Sequence, residues 1–292
     1  MTSSVSVIIP ALNEGDNLVD TVGCVLKNTD VGRLEVFVVD DGSRDGSARR
    51  AAAVHGNGRL HVINGGGLGI ARARNEGARH ASGDVLVFLD AHCYVPPGWI
   101  HPLLETLEGD DVALAGPAFT SIRDVNLAGC GSTWKDESLE TTWLPCATVS
   151  QPVPFLPGGC HAVRADVFRD VGGYDEGMTR WGSEDVEFSL RVWLAGYRVF
   201  GAPGSLVYHL FRQRQNYTVD GAGVLYNRLR MAYVHLDESR LARCLRRLLA
   251  CPGVEKSLAM LASSDTMTRR LTWMHRRKYD VAWLCERFNM IP

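Results

Sequence analysis

Asp84-Val85-Leu86-Val87-Phe88-Leu89-Asp90-Ala91-His92-Cys93 is the stretch that decides the fold. Its first part is a short, continuous apolar run, as expected of a strand buried on both faces. The run stops at an aspartate and a histidine two positions apart. The same design recurs upstream. Val5-Ser6-Val7-Ile8-Ile9-Pro10 is apolar until proline withdraws its N–H. Leu34-Glu35-Val36-Phe37-Val38-Val39 runs into Asp40-Asp41-Gly42-Ser43, and Leu60-His61-Val62-Ile63 is a further strand. Helical stretches separate them: Asn13-Glu14-Gly15-Asp16-Asn17 offers caps for a helix through Leu18, Val22 and Leu26, and residues 47–54 and 69–81 are helical. This alternation predicts an α/β chain with a mostly parallel central sheet flanked by helices on both faces. Ligands of such sheets sit beyond the carboxyl ends of the strands. Pro10, Asp40, Asp41, Asp90, Ala91 and His92 should therefore share one rim. Asp and Gly after strands also serve as plain turn residues, but two such clusters on one rim point to a site.

Composition removes several classes. The 292 residues carry 31 Lys+Arg against 33 Asp+Glu, a net charge of -2 that hides an asymmetry. Residues 240–292 hold 11 basic and 4 acidic side chains (+7), leaving the body at -9. An acidic body with a basic tail lacks the basic face that a nucleic-acid partner needs. With 46% hydrophobic and 22% charged residues the composition is globular and not disordered. The first residues, Met1-Thr2-Ser3-Ser4-Val5-Ser6, show no secretory signal pattern. No apolar run approaches the roughly 18 residues of a membrane span. The eight cysteines are scattered without a C-x-x-C pair, which favours reduced thiols and a cytoplasmic location.

Further along, residues 119–155 carry Trp134, Trp143, Pro145 and Pro152 with little periodicity, so loops and an irregular strand pair are expected. Residues 155–163 read as a strand interrupted by Gly158-Gly159. Residues 185–194 are helical, opened by Glu184, Asp185 and Glu187 in keeping with the helix dipole. Residues 197–200 and 206–209 read as two short strands, and from Gly221 the pattern is helical to the end.

Several segments then resemble a known family. Val7-Ile8-Ile9-Pro10-Ala11-Leu12-Asn13-Glu14, Val38-Val39-Asp40-Asp41-Gly42-Ser43 and Ala73-Arg74-Asn75-Glu76-Gly77 look like the nucleotide-sugar half of GT-A glycosyltransferases of the family-2 type. Phe88-Leu89-Asp90-Ala91-His92-Cys93 resembles the Asp-x-His metal motif of polypeptide N-acetylgalactosaminyltransferases. Gly158-Gly159, Tyr174-Asp175, Trp181-Gly182-Ser183-Glu184-Asp185, Arg191-Val192-Trp193 and Val207-Tyr208-His209-Leu210-Phe211-Arg212 continue that likeness in order over residues 5–215. The resemblance implies a GT-A, Rossmann-like fold and a metal-dependent glycosyltransferase drawing on a nucleotide-sugar, with UDP favoured.

By the same resemblance Asp90, His92 and His209 would hold a divalent ion. Mixed carboxylate and imidazole ligation suits Mn²⁺, and Mg²⁺ is the alternative. Taken alone, His209 would read as a core histidine; its place in the matching Val207-Tyr208-His209-Leu210-Phe211-Arg212 segment turns the reading to ligation. Asp41, and with it Asp40, would accept hydrogen bonds from the base or ribose. Pro10, Glu14, Arg74, Ala91 and Gly159 would line the donor site with Asp90. Arg212 would face the diphosphate or form a surface salt bridge. Gly65-Gly66-Gly67-Leu68-Gly69 follows the third strand instead of the first, so it reads as a turn near the nucleotide and not as a dinucleotide loop. Trp181 is either a lid over the sugar, with Gly182 as its hinge, or a buried aromatic.

One departure bears on stereochemistry. The polypeptide-modifying family has Asn where Asp185 stands, and it retains configuration. Family-2-type inverting enzymes have Glu-Asp, with the Asp taking the acceptor's proton. Glu184 and Asp185 could also be helix-capping acids. The reading is inversion with Asp185 as base and Glu184 beside it; retention is the alternative.

The expected organisation is a catalytic domain over 1–220, with a nucleotide half (1–116) and an acceptor-side half (117–220), followed by a basic helical C-terminal extension over 221–292. Leu241, Leu245, Leu248 and Leu249 share one face of its first basic helix, with Arg243, Arg246 and Arg247 off that stripe. It packs on the body, or it meets an acidic partner or an anionic membrane surface. The acceptor is a peptide side chain or a small molecule. Two other classes are a nucleotidyltransferase, which Trp181-Gly182-Ser183-Glu184-Asp185 argues against, and a catalytically silent sugar-nucleotide-binding module.

Overall fold

A computed structural model describes residues 4–124, 127–212 and 216–291. Met1, Thr2 and Ser3, part of the stretch read as lacking a signal pattern, lie outside the described residues. The first half alternates β1 (Ser4–Ala11), α1 (Asp16–Asn28), β2 (Arg33–Asp40), α2 (Ser47–His55), β3 (Leu60–Asn64), α3 (Ile70–His80) and β4 (Val85–Leu89). The middle holds β5 (Cys93–Tyr94), α4 (His101–Leu107), β6 (Val112–Ser121), β7 (Leu127–Gly129), β8 (Ser132–Trp134), β9 (Thr141–Trp143) and β10 (Gln151–Pro152). Then come β11 (Cys160–Arg164), α5 (Ala165–Asp170), α6 (Glu184–Leu194) and β12 (Arg198–His209). Helices α7 (Gly221–His235), α8 (Glu238–Leu248), α9 (Val254–Ala262), α10 (Thr266–Arg276) and α11 (Val281–Phe288) close the chain.

The main sheet runs β10-β12-β6-β11-β4-β1-β2-β3, with β5 added to β12 and β7 to β6. Strands β1 to β4 are parallel where they pair, and β12 is parallel to β6. The antiparallel β11 joins the two sets by pairing with both β4 and β6. Both faces are covered, as the apolar strands predict. Val5, Val7 and Ile9 of β1 pack with Leu18, Val22 and Val25 of α1 on one face. Ile8, one step out of phase, packs on the other with Ala71, Phe88, Val186 and Leu225. The period-2 side-chain alternation of a strand thus feeds two cores.

Three segments differ from the sequence reading. Residues 112–121 form the long strand β6, which the sequence reading passes over. Residues 198–209 are one strand, broken in register between Ala202 and Leu206, where Pro203 and Gly204 intervene; the bulge makes one strand read as two. The strand expected over 155–163 begins only at Cys160. Pro157 has no N–H, and the Gly158 N–H goes to the Asp185 carboxylate instead of a ladder.

The basic C-terminal helices spend much of their charge on the chain itself. Arg269 meets Asp175 and Glu187, Arg276 meets Asp170, Arg247 meets Glu137 and Lys256 meets Asp220. These pairs accord with the reading in which the basic helices pack on the body. Among the described residues no helix is long and apolar enough to cross a membrane.

Candidate active site

Strand pairing brings the motif histidines together across 117 residues of sequence. β5 follows β4 directly and pairs antiparallel with the end of β12, placing His209 opposite Cys93. Leu210 N donates to His92 O at 3.1 Å, tying the two histidine-bearing segments. The Asp90 N–H donates to Gly159 O at 2.9 Å, which fixes the aspartate against the glycine pair. One ligand atom from each of Asp90, His92 and His209 lies within 4.8 Å of the others. His209 Nε2 is 3.8 Å from Asp90 Oδ2, and the two imidazole rings meet edge-on at 4.8 Å. The buried Nδ1 of His209 has no hydrogen-bond partner among the described residues, and the buried Nδ1 of His92 faces only Glu14 Oε1, at 3.3 Å. A carboxylate and two imidazoles converging this closely fit a divalent cation of the Mn²⁺ type. A Cβ on Gly159 would stand 2.9 Å from Phe119 and 3.1 Å from His209. Only glycine lets the backbone pass so near this cluster.

Behind the cluster lies a buried charge relay. Arg74, 1% exposed, donates to Glu184 Oε1 at 3.0 Å, Asp90 Oδ1 at 3.2 Å and Gly158 O at 2.7 Å. Burial alone would raise the Asp90 pKa, but the His209 imidazole 3.8 Å away and the Arg74 charge hold it well below the usual carboxylate range. Glu184 Oε2 accepts from Gly182 N at 2.9 Å. Asp185 accepts from Gly158 N (2.7 Å) and Val186 N (2.8 Å). Burial, and then the neighbouring Glu184 charge, push Asp185 up to about 7, against the pull of Arg74. Arg74→Met should cost about 3–5 kcal/mol of stability, because it strands Asp90 and Glu184 without their shared cation. Urea unfolding checks this, and a loss below about 1 kcal/mol would mean the carboxylates are balanced elsewhere.

The cavity in front of these groups is about 360 Å³. It is lined by Pro10, Glu14, Asp41, Arg74, Asp90, Ala91, His92, Gly159, Trp181, Glu184, Asp185 and His209, so most of the residues singled out in the sequence converge. Asp40 and Arg212 are not among the lining residues. Asp40 Oδ1 accepts from Ser43 N at 2.8 Å. Arg212 makes a two-pronged ion pair with Glu14, whose Oε1 also lies 3.3 Å from His92 Nδ1. Burial opposes it, yet His92 and Arg212 together lower the Glu14 pKa. Asp41 lines the cavity with its carboxylate held by three successive amides, those of Gly67, Leu68 and Gly69. The glycine string is therefore a loop anchored to Asp41. Its last member, Gly69, lies so close that a Cβ would be 2.9 Å from Arg180 Cα.

Trp181 is 39% exposed and forms a wall of the cavity. Its segment is tied down more firmly than a freely swinging lid: Ile70 N donates to Arg180 O at 2.9 Å, and Asn227 bonds to the carbonyls of both Trp181 and Gly182. Ser183, with φ +66°, is a non-glycine in the left-handed region, a conformation that costs of order 1–3 kcal/mol and persists where the surroundings impose it. Sequence reading missed Ile70, residues 139–141, Arg180, Tyr217 and Arg228, which also line the cavity. They come from segments without a motif, drawn together by the pairing of Arg228 with Glu140 at 3.1 Å and by the Ile70–Arg180 backbone bond.

Comparison with known proteins places this geometry. Residues 6–172 match glycosyl transferase family 2, and residues 147–213 match the N-terminal domain of galactosyltransferase. A polypeptide N-acetylgalactosaminyltransferase 11 of Xenopus tropicalis is 33% identical over 259 residues, covering 80% of this chain and 43% of its own. A probable N-acetylgalactosaminyltransferase 8 of Caenorhabditis elegans is 37% identical over 189 residues, covering 58% and 44%. The chain thus spans about half the length of the relatives it matches. The crystal structure of GalNAc-T7 with UDP, GalNAc and Mn²⁺ superposes with a TM-score of 0.81 at 25% identity, over 98% of this chain and 56% of that one. That superposition takes in the C-terminal helices.

Proposed function

The chain belongs to glycosyl transferase family 2, and from that premise we propose that it is a metal-dependent glycosyltransferase moving a sugar from a UDP-sugar to a nucleophilic acceptor. The observation that carries the proposal is the convergence of Asp90, His92 and His209 within 4.8 Å on a cavity that also presents Asp185. The UDP and Mn²⁺ of the GalNAc-T7 structure support the donor and the ion. Asp90, His92 and His209 would hold the ion, Mn²⁺ foremost and Mg²⁺ as the alternative. Once bound, such an ion supplies Lewis-acid stabilisation of the charge that grows on a departing diphosphate.

The chain's own residues do the rest. Arg74 fixes Asp90 and Glu184 relative to each other, and Glu184 holds the Gly182 amide beside Trp181. Pro10, Glu14, Asp41, Ala91 and Gly159 shape the donor side, while Asp40 and Arg212 support it through Ser43 and Glu14. Asp185 takes the acceptor's proton. A carboxyl titrating near 7 is matched to proton transfer at neutral pH. Each of its oxygens keeps a second lone pair beyond its amide bond, so a third hydrogen bond to the acceptor fits. A base at this position makes the transfer inverting. Retention is the second reading, favoured by the relatives whose names are those of polypeptide N-acetylgalactosaminyltransferases.

The acceptor is a peptide side chain or a small molecule. The catalytic unit is 1–220, with 221–292 as its helical extension. A cytoplasmic location is the reading favoured by the scattered cysteines without a C-x-x-C pair. Thermal shift with a panel of UDP- and GDP-sugars, with and without Mn²⁺, tests the donor assignment. UDP-sugars with Mn²⁺ should raise Tm, and a rise with GDP-sugars alone would overturn the UDP preference.

A further inference from the structure

One buried side chain far from every motif holds the wall of the cavity. Asn227 of α7 is 0% exposed. Its Oδ1 accepts from Thr179 N at 2.8 Å and from Thr179 Oγ1 at 3.2 Å. Its Nδ2 donates to Thr179 O (3.0 Å), Trp181 O (3.2 Å) and Gly182 O (2.9 Å), two N–H bonds shared among three carbonyls. A single amide thereby serves the backbone on both sides of Trp181. The polarity is specific, because only a group with a donor and an acceptor on one planar fork meets an N–H and three carbonyls together.

The neighbours on the same helix face extend the pattern. Tyr226 Oη donates to Gly177 O at 2.9 Å, and Arg230 binds both oxygens of Asp175 at 2.7 and 2.9 Å. Positions 226, 227 and 230 lie at i, i+1 and i+4, so one face of α7 grips residues 175–182 from end to end. This segment runs straight into Glu184 and Asp185.

We infer that Asn227 is a positioning residue: it fixes the Thr179–Gly182 backbone, and through it sets Trp181 and the start of α6 in the geometry that transfer requires. It touches neither donor nor acceptor. The catalytic part of this inference rests on the transferase reading; the structural part does not. Small displacements at a reacting site cost up to about 10²-fold in rate, so Asn227→Ala should lower kcat by about 10- to 100-fold, with a raised KM for the UDP-sugar.

The deciding readout needs no substrate. Acrylamide quenching of tryptophan emission in the 292-residue chain compares wild type, Asn227→Ala and Asn227→Asp. The aspartate turns a donor into an acceptor facing three carbonyls. Both variants should enlarge the quenchable fraction, and the increment should vanish in a Trp181→Phe background. Thr179→Val, which removes only one hydroxyl of the same contact, should give a smaller increment of the same sign, and it decides the matter if Asn227→Ala does not fold. Quenching equal to wild type, or an increment that survives Trp181→Phe, would overturn the assignment. A wild-type protein that turns over no UDP-sugar would sink the transferase reading and leave this readout standing.

Discussion

Asp90→Asn is expected to lower the rate of sugar transfer by roughly 10³-fold and to remove its dependence on added Mn²⁺. The size follows from the several kcal/mol that a bound cation contributes at a developing phosphate charge, at 1.36 kcal/mol per tenfold in rate. Asparagine keeps the shape of the side chain but surrenders the charge that the neighbouring His209 and Arg74 favour on Asp90. The fold should survive, because Arg74 retains Glu184 at 3.0 Å and Gly158 O at 2.7 Å. Calorimetric titration with Mn²⁺ separates binding from chemistry: affinity should fall together with rate. Unchanged Mn²⁺ affinity in a folded Asp90→Asn protein would remove the cluster from the account.

Asp185→Asn carries the second large effect, a loss of about 10²- to 10⁴-fold in kcat, the range of a removed general base. UDP binding should persist, since the Asp185 contacts are to Gly158 and Val186 and not to the cation cluster. The pH profile gives an independent sign. The base works without its proton, and burial with the Glu184 charge has pushed the carboxyl up to about 7. Wild-type kcat should therefore fall as pH drops through about 7, and the residual rate of the asparagine variant should show no such limb. A variant that keeps both rate and limb would assign the proton transfer to another group.

The sequence made legible what depends on local pattern. The apolar runs of β1, β2 and β4 announce the sheet, and the spacing of Asp90 and His92 announces a pair of ligands at a strand end. What it could not supply depends on long-range pairing. His209 is legible as a ligand only through the family resemblance; the alignment of Cys93 with His209 by β5, which completes the cluster, appears only in the fold. β6 escaped because Gly116 and Pro117 interrupt an otherwise apolar strand. The glycine string at 65–69 read correctly as a turn, but its tie to Asp41 exists only once β2 and β3 lie side by side. Asn227 gave no signal at all, since a lone asparagine in a helical run is ordinary until its five contacts to 179–182 are visible. The charge asymmetry was plain in the sequence, whereas its use, basic helices neutralising Asp175 and Glu187 of the body, appears only in the fold.

The most direct test of the central claim needs no knowledge of the acceptor. Proton NMR can follow a UDP-α-linked sugar incubated with the protein and Mn²⁺, with water as the acceptor, and identify the anomer released first. Metal-dependent transfer with Asp185 as base predicts that the β-anomer appears first, that chelation stops its release, and that Asp185→Asn is silent. Release of the α-anomer first would contradict the account.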